Sequence, residues 1–188
     1  RIGNSEACQY LVAAKADVDK SLRDAVQVGH VDACQQLINA QADVNGAVQD
    51  GMTPLYFAAQ NGRSDVAGVL LIAKANVNVL TTTNNVSALY VATSRDHAET
   101  VRVLLNHKAA VNVQLRGCGS TAVSCAADTN SSGCLELLLA EKADPSIPDY
   151  SGRLPLMLAF ARGHVEVIEV LLRTPCESPL STSDWNAL

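Results

Sequence analysis

The chain has 188 residues, with 48% hydrophobic but only 4% aromatic side chains and a formal net charge of −5. That charge argues against a nucleic-acid binder built on a broad basic face, and no apolar run approaches the ~20 residues of a membrane-spanning helix. The core must be aliphatic and alanine-rich, which suits closely stacked helices better than an aromatic sheet sandwich.

The start, Arg1-Ile2-Gly3, has neither an initiator Met nor a secretory signal pattern, leaving a processed chain or a piece of a longer one. Residues 1–19 predict one amphipathic helix, with Ala7, Cys8, Leu11 and Val12 on a face and Ala16-Asp17-Val18-Asp19 as its close. A helix pair then occupies 20–45, opening at Ser21-Leu22-Arg23-Asp24-Ala25, turning at Gly29-His30 and closing at Ala42-Asp43-Val44-Asn45. The next pair, 46–78, is the fullest. Thr53 is placed as an N-cap and Pro54 sits where a first helical turn tolerates a missing N–H. Gly62 breaks the first helix, Ser64-Asp65 starts the second, and Val66, Val69, Leu70, Leu71 and Ile72 follow at helical spacing. Ala75-Asn76-Val77-Asn78 closes it.

The pattern recurs over 79–112, with Ser87-Ala88-Leu89-Tyr90-Val91-Ala92, and over 113–146, with Thr121-Ala122-Val123 and Leu137-Leu138-Leu139. Its last copy, 147–172, carries Leu154-Pro155-Leu156, Gly163-His164 and Val170-Leu171-Leu172. The closing alanines are 26 residues apart from Ala16 to Ala42 but 33 from Ala42 to Ala75, so the loop entering the 20–45 pair should be clipped by seven. Residues 173–188 leave the pattern through Pro175 and Pro179 and hold the only Trp, Trp185.

The T-P-L-x-x-A-A turn, paired helices and A-D-V-N close of residues 51–78 resemble the ankyrin repeat. The resemblance covers about 170 residues, as five repeats and a leading half. It implies an all-α solenoid of helix pairs with short β-hairpin fingers, in which each short pair buries its apolar face only against stacked copies. Two departures stand out. The family's His after the T-P-L turn is replaced by Arg23, Tyr56, Tyr90, Ser124 and Met157. The glycine expected before A-D-V-N is Lys15, Gln41, Lys74, Lys108 and Lys142. A non-Gly residue there either adopts left-handed geometry at about 1 kcal/mol or reshapes the helix end, and lysine partly compensates as a cation at a helix C-terminus.

No constellation of catalytic residues emerges. His30, His97 and His164 share one repeat position, and two packed layers would hold neighbours ~16–20 Å apart, too far to share an ion. His107 has no ligand partner. There is no phosphate-cradling glycine motif and no nucleophile elbow; Gly117-Cys118-Gly119-Ser120 falls where a finger tip belongs. Asp17, Asp19 and Asp43 belong to repeat ends. The six cysteines, Cys8, Cys34, Cys118, Cys125, Cys134 and Cys176, show no zinc spacing and read as thiols of a reducing compartment. A Cys118–Cys125 disulfide is allowed by their positions but not indicated. The sequons Asn85-Val86-Ser87 and Asn130-Ser131-Ser132 read as turns. Asn45, Asn78 and Asn112 match a position that the resemblance marks for asparagine hydroxylation.

What remains is surface. By the resemblance, the partner is a protein lying along the concave side. The helix positions this implies are Gln27 and Val28, Gln60 and Asn61, Ser94 and Arg95, Asp128 and Thr129, and Ala161 and Arg162. The position just before the paired small residues adds Asp24, Phe57, Val91, Cys125 and Leu158. In the fingers, apolar Val79, Leu80, Leu115 and Tyr150 are candidates too, with Val79 and Leu80 equally able to fold inward. The expected function is a non-catalytic scaffold, adaptor or linker subunit without cofactor or metal, inside the cell and not secreted. The alternative is a targeting domain of a larger enzyme or channel. The leading helix leaves Leu11, Val12 and Val18 for upstream sequence or another subunit to cover. The tail, with Leu180, Trp185 and Leu188, either caps the last helices or hooks a partner.

Overall fold

Thr53, Ser87 and Thr121 each turn an extended chain into a helix in the same way. Their side-chain oxygens accept the amides of Tyr56 (3.3 Å), Tyr90 (3.0 Å) and Ser124 (3.1 Å), three residues on. Each bond satisfies one of the donors that a helix start leaves unpaired. The computed structural model describes residues 18–174, and ten α-helices occupy them in five antiparallel pairs. The first helices are α1 (Val18–Val28), α3 (Pro54–Gln60), α5 (Ala88–Ser94), α7 (Ala122–Thr129) and α9 (Pro155–Arg162). The second helices are α2 (Val31–Asn39), α4 (Ser64–Ile72), α6 (Ala98–Asn106), α8 (Ser132–Ala140) and α10 (Val165–Arg173).

The pairs stack into two layers. First helices pack in the order α1, α3, α5, α7, α9 and second helices in the order α2, α4, α6, α8, α10. Small residues make this possible: Ala58, Ala59, Ala92, Ala126, Ala127 and Ala159 are fully buried where neighbouring first helices meet. Leu70, Leu104 and Leu138 fill the space between the layers. One apolar core runs through the stack.

Both turns of the repeat use left-handed backbone. Between paired helices, Gly29, Gly62, Asp96, Asn130 and Gly163 all have positive φ, and the next amide closes the turn. His97 N, for example, donates to Ala92 O at 2.9 Å. After each second helix, Gln41, Lys74, Lys108 and Lys142 take φ between 62° and 69°. The following alanine amides (Ala42, Ala75, Ala109 and Ala143) then reach back to Leu37, Leu70, Leu104 and Leu138 carbonyls at 2.9–3.1 Å, the six-to-one bond of a Schellman cap. The lysines therefore adopt the strained conformation rather than reshaping the helix end. Asn85 and Asn130 of the two sequons are also left-handed turn residues.

Among the described residues the fingers form no sheet beyond one antiparallel bridge, Leu80 to Ser87. Each finger is closed by one bond of the same kind: Val48 N to Met52 O, Thr81 N to Val86 O, Leu115 N to Ser120 O and Asp149 N to Arg153 O, all 3.0 Å. A 3-10 turn, Gln49–Gly51, forms the tip of the first.

The entry to α1 differs from expectation. Val18 and Asp19, assigned to the close of the preceding half repeat, are the first residues of α1. With the finger clipped, no residues remain to separate close from helix. Asp19 still does the work of a closing residue, since its carboxylate accepts the Asp43 amide at 2.7 Å. The rest of the half repeat, Lys15 with it, and the tail from Pro175 with Cys176, Leu180, Trp185 and Leu188 lie outside the described residues.

Candidate functional site

The candidate surface is the finger side of the first-helix layer. Asp24, Gln27, Val28, Asn61, Arg95, Thr129 and Arg162 are exposed, and Phe57, Gln60, Leu80, Ser94, Leu115 and Asp128 are half-buried. Stacking brings equivalent positions of successive helices into line, so these residues share one strip. Three do not contribute as expected. Val91 is 6% and Leu158 9% exposed, and Cys125 at the same position is equally covered. The close stacking of first helices draws this position between neighbours. Only Asp24, entered by a clipped finger, and Phe57, held edge-on against Tyr56 at 5.9 Å, keep it open.

Several polar members of the strip serve their own helices. Asn61 Nδ2 donates to Phe57 O (2.8 Å), Ser94 Oγ to Val91 O and Thr129 Oγ1 to Cys125 O, both at 2.9 Å. These bonds add side-chain donors to carbonyls in the last turns of the helices. Arg162 grips Asp128 of the preceding repeat through two bonds, 3.0 and 3.3 Å. The Arg95 guanidinium has no hydrogen-bond or ion-pair partner among the described residues and is exposed, so it is open to an incoming group.

The histidines tie repeats together. His97 Nε2 lies 3.2 Å from Gln60 O and His164 Nε2 3.2 Å from Asp128 O, each a carbonyl of the preceding first helix. A carbonyl only accepts, so each ring carries its proton on Nε2. The contact explains Gly62: a Cβ there would stand 2.8 Å from the His97 ring. These bonds reach 36–37 residues back. Tyr90, in place of the family's His, donates to Ser120 Oγ at 3.4 Å.

The fingers are linked one to the next. Thr82 N donates to Asp50 O (3.0 Å), Arg116 N to Asn84 O and Tyr150 N to Cys118 O, both 2.9 Å. Asp50 also accepts from the Thr82 hydroxyl and from the amide and hydroxyl of Thr83, and these bonds hold its carboxyl below the ordinary range. Tyr150 is 64% exposed, yet its ring lies against Gly119, where a Cβ would collide with it. Val79, Leu80 and Leu115 are half-buried, so the fingers fold part of their apolar surface inward.

Between these fingers and α5, α7 and α9 opens a cavity of about 270 Å³. Its walls include Tyr90, Ser120, Ser124, Cys125 and Leu158, and its charged members are Asp128 with Arg162 and Asp149 with Arg153. Burial pushes the Cys125 thiol up to about 11 and raises the Tyr90 phenol, so both are neutral at physiological pH. Burial also pushes the Asp149 carboxyl up, but bonds from the Arg153 amide and guanidinium and the Ser151 amide outweigh it and hold it low. Among the described residues no cluster of His, Cys, Asp or Glu could hold a metal ion. No helix there is long and apolar enough to cross a membrane.

Comparison with curated proteins gives no match. A family profile described as ankyrin repeats (3 copies) matches overlapping stretches, residues 1–81, 22–115, 70–149 and 89–182. The chain thus belongs to the ankyrin-repeat family, whose repeats generally mediate protein–protein interactions and typically carry no catalytic chemistry.

Proposed function

We infer that this chain is a scaffold, adaptor or linker subunit that holds one protein partner along the finger side of its first helices. The cavity of about 270 Å³ between Tyr90 and Arg162 carries this reading. It is large enough for one anchoring side chain, and its hydroxyls, Leu158 and two ion pairs suit a group with an apolar body and a polar tip. The stacked helices and linked fingers hold the surface in place before binding, so little entropy is lost on docking. Arg95, open on the same strip, supplies charge for orientation. The net charge of −5 favours a protein over nucleic acid as partner. Cys34, Cys125 and Cys134, each buried and outside any disulfide, support a reducing intracellular compartment.

The test is capture of the native partner by the full chain, followed by titration with substituted chains. Arg95→Glu and Tyr150→Ala should each weaken binding about tenfold or more, roughly the 1.4 kcal/mol of a useful contact. Gln35→Ala, on the opposite layer, should leave it unchanged. Binding that survives both strip substitutions but falls with Gln35→Ala would place the partner on the other face and end this reading.

A further inference from the structure

The face that each repeat turns toward its successor is built from fixed positions. On first helices one of them is Val26, Ala59, Thr93 and Ala127, all 0% exposed. The last pair has Phe160 there, 41% exposed. On second helices Leu71 and Leu105 are 6% and 4% exposed, and Ile38 and Leu139 half-buried, where Leu172 is 54% exposed. Ala67, Val101 and Leu135 are fully buried where Ile168 is only half-buried. The end face is therefore open, and Phe160 shapes it against another repeat. Neighbouring first helices close on small residues at this position, and a phenyl ring would force them apart.

We propose that this end face is the docking site of the chain's own residues 175–188, which lay Leu180, Trp185 and Leu188 over Phe160 and Leu172. Thr174, the C-cap of α10, is already extended at φ −78°, ψ 121°, and Pro175 cannot continue the helix. Fourteen residues reach ~45 Å when extended, several times the 8–10 Å between packed helix axes, so the segment spans both α9 and α10. This docking is independent of the partner strip.

Trp185 is the sole tryptophan of the chain and reports on the proposal directly. In the full chain its emission should be blue-shifted and shielded from acrylamide. Leu172→Asp and Phe160→Asp should each red-shift it and raise the quenching constant severalfold while helical circular dichroism holds. Shielding and chain mass should both be independent of concentration. Leu172 is more than half exposed, so its variant reads the contact even if Phe160→Asp disturbs the fold. Three results overturn the proposal. One is a tryptophan as quenchable as a free indole in the unaltered chain. Another is shielding that ignores both substitutions. The third is shielding that rises with concentration alongside a dimer mass, which would give the face to a second copy.

Discussion

The two edges of the array are held by different means. On the edge where second helices end, one device repeats. The side chains of Asp19, Asn45, Asn78 and Asn112 accept the amides of Asp43, Asn76, Ala110 and Asp144 at 2.7–2.9 Å. On the finger edge one backbone bond recurs between successive fingers, but the side-chain links added to it all differ: a threonine-bound carboxylate at Asp50, a guanidinium reaching Thr82 O and Asn85 from Arg116, and an aromatic ring on a glycine at Tyr150. The contrast separates what makes the chain an array from what makes it this particular array. A uniform link sets spacing and can carry no information about a partner. The irregular edge can.

The largest effect should come from breaking one irregular link. Gly119→Val puts a β-branched residue at φ +75° with its Cβ against the Tyr150 ring. It should lower stability by about 2–3 kcal/mol, from backbone strain plus overpacking, read as a denaturation midpoint. Adding Tyr150→Ala should recover the overpacking share and leave the strain. A smaller loss, about 1–2 kcal/mol, is expected for Asn78→Ala on the uniform edge. It removes the acceptor for Ala110 N and the donor to Lys108 O. Asn78→Asp should keep most of the stability, because Asp19 already fills that acceptor role; equal losses for both would contradict the uniform-ladder account.

Acid should loosen the finger edge. Asp50 and Asp149 have folded pKa values below the ordinary 3.8. Their contribution is fully present above that value and is lost as pH falls through the depressed folded values. Asp50→Asn should flatten this part of the acid-unfolding curve, and an unchanged curve would remove Asp50 from the account. The smallest effect leaves the fold untouched. Cys118 at the exposed finger tip should alkylate at neutral pH, while Cys125 and Cys134, raised to about 11 and about 12 by burial, should not until the chain unfolds. Peptide-resolved mass spectrometry checks this.

The helix caps were legible because each is local: Thr53, Ser87 and Thr121 bond amides three residues away. The left-handed Lys74, Lys108 and Lys142 were legible from the repeat register as one of two outcomes. The burial of Val91 and Leu158, the reach of His97 to Gln60 and the seat of Tyr150 on Gly119 were not. Each depends on how closely two repeats approach, and that distance is set by contacts more than 30 residues apart. The open end at Phe160 had a signal in the sequence: a large side chain in a column of small ones.

The clipped finger carries a practical consequence. The Asp19-to-Asp43 link spans 24 residues, against 31 or 32 for its counterparts, yet it forms at 2.7 Å. The stack keeps step whether or not a finger is present. Fingers are therefore interchangeable attachments: one can be trimmed, lengthened or grafted from another array without re-engineering the frame, and under the proposed function such an exchange would change the partner.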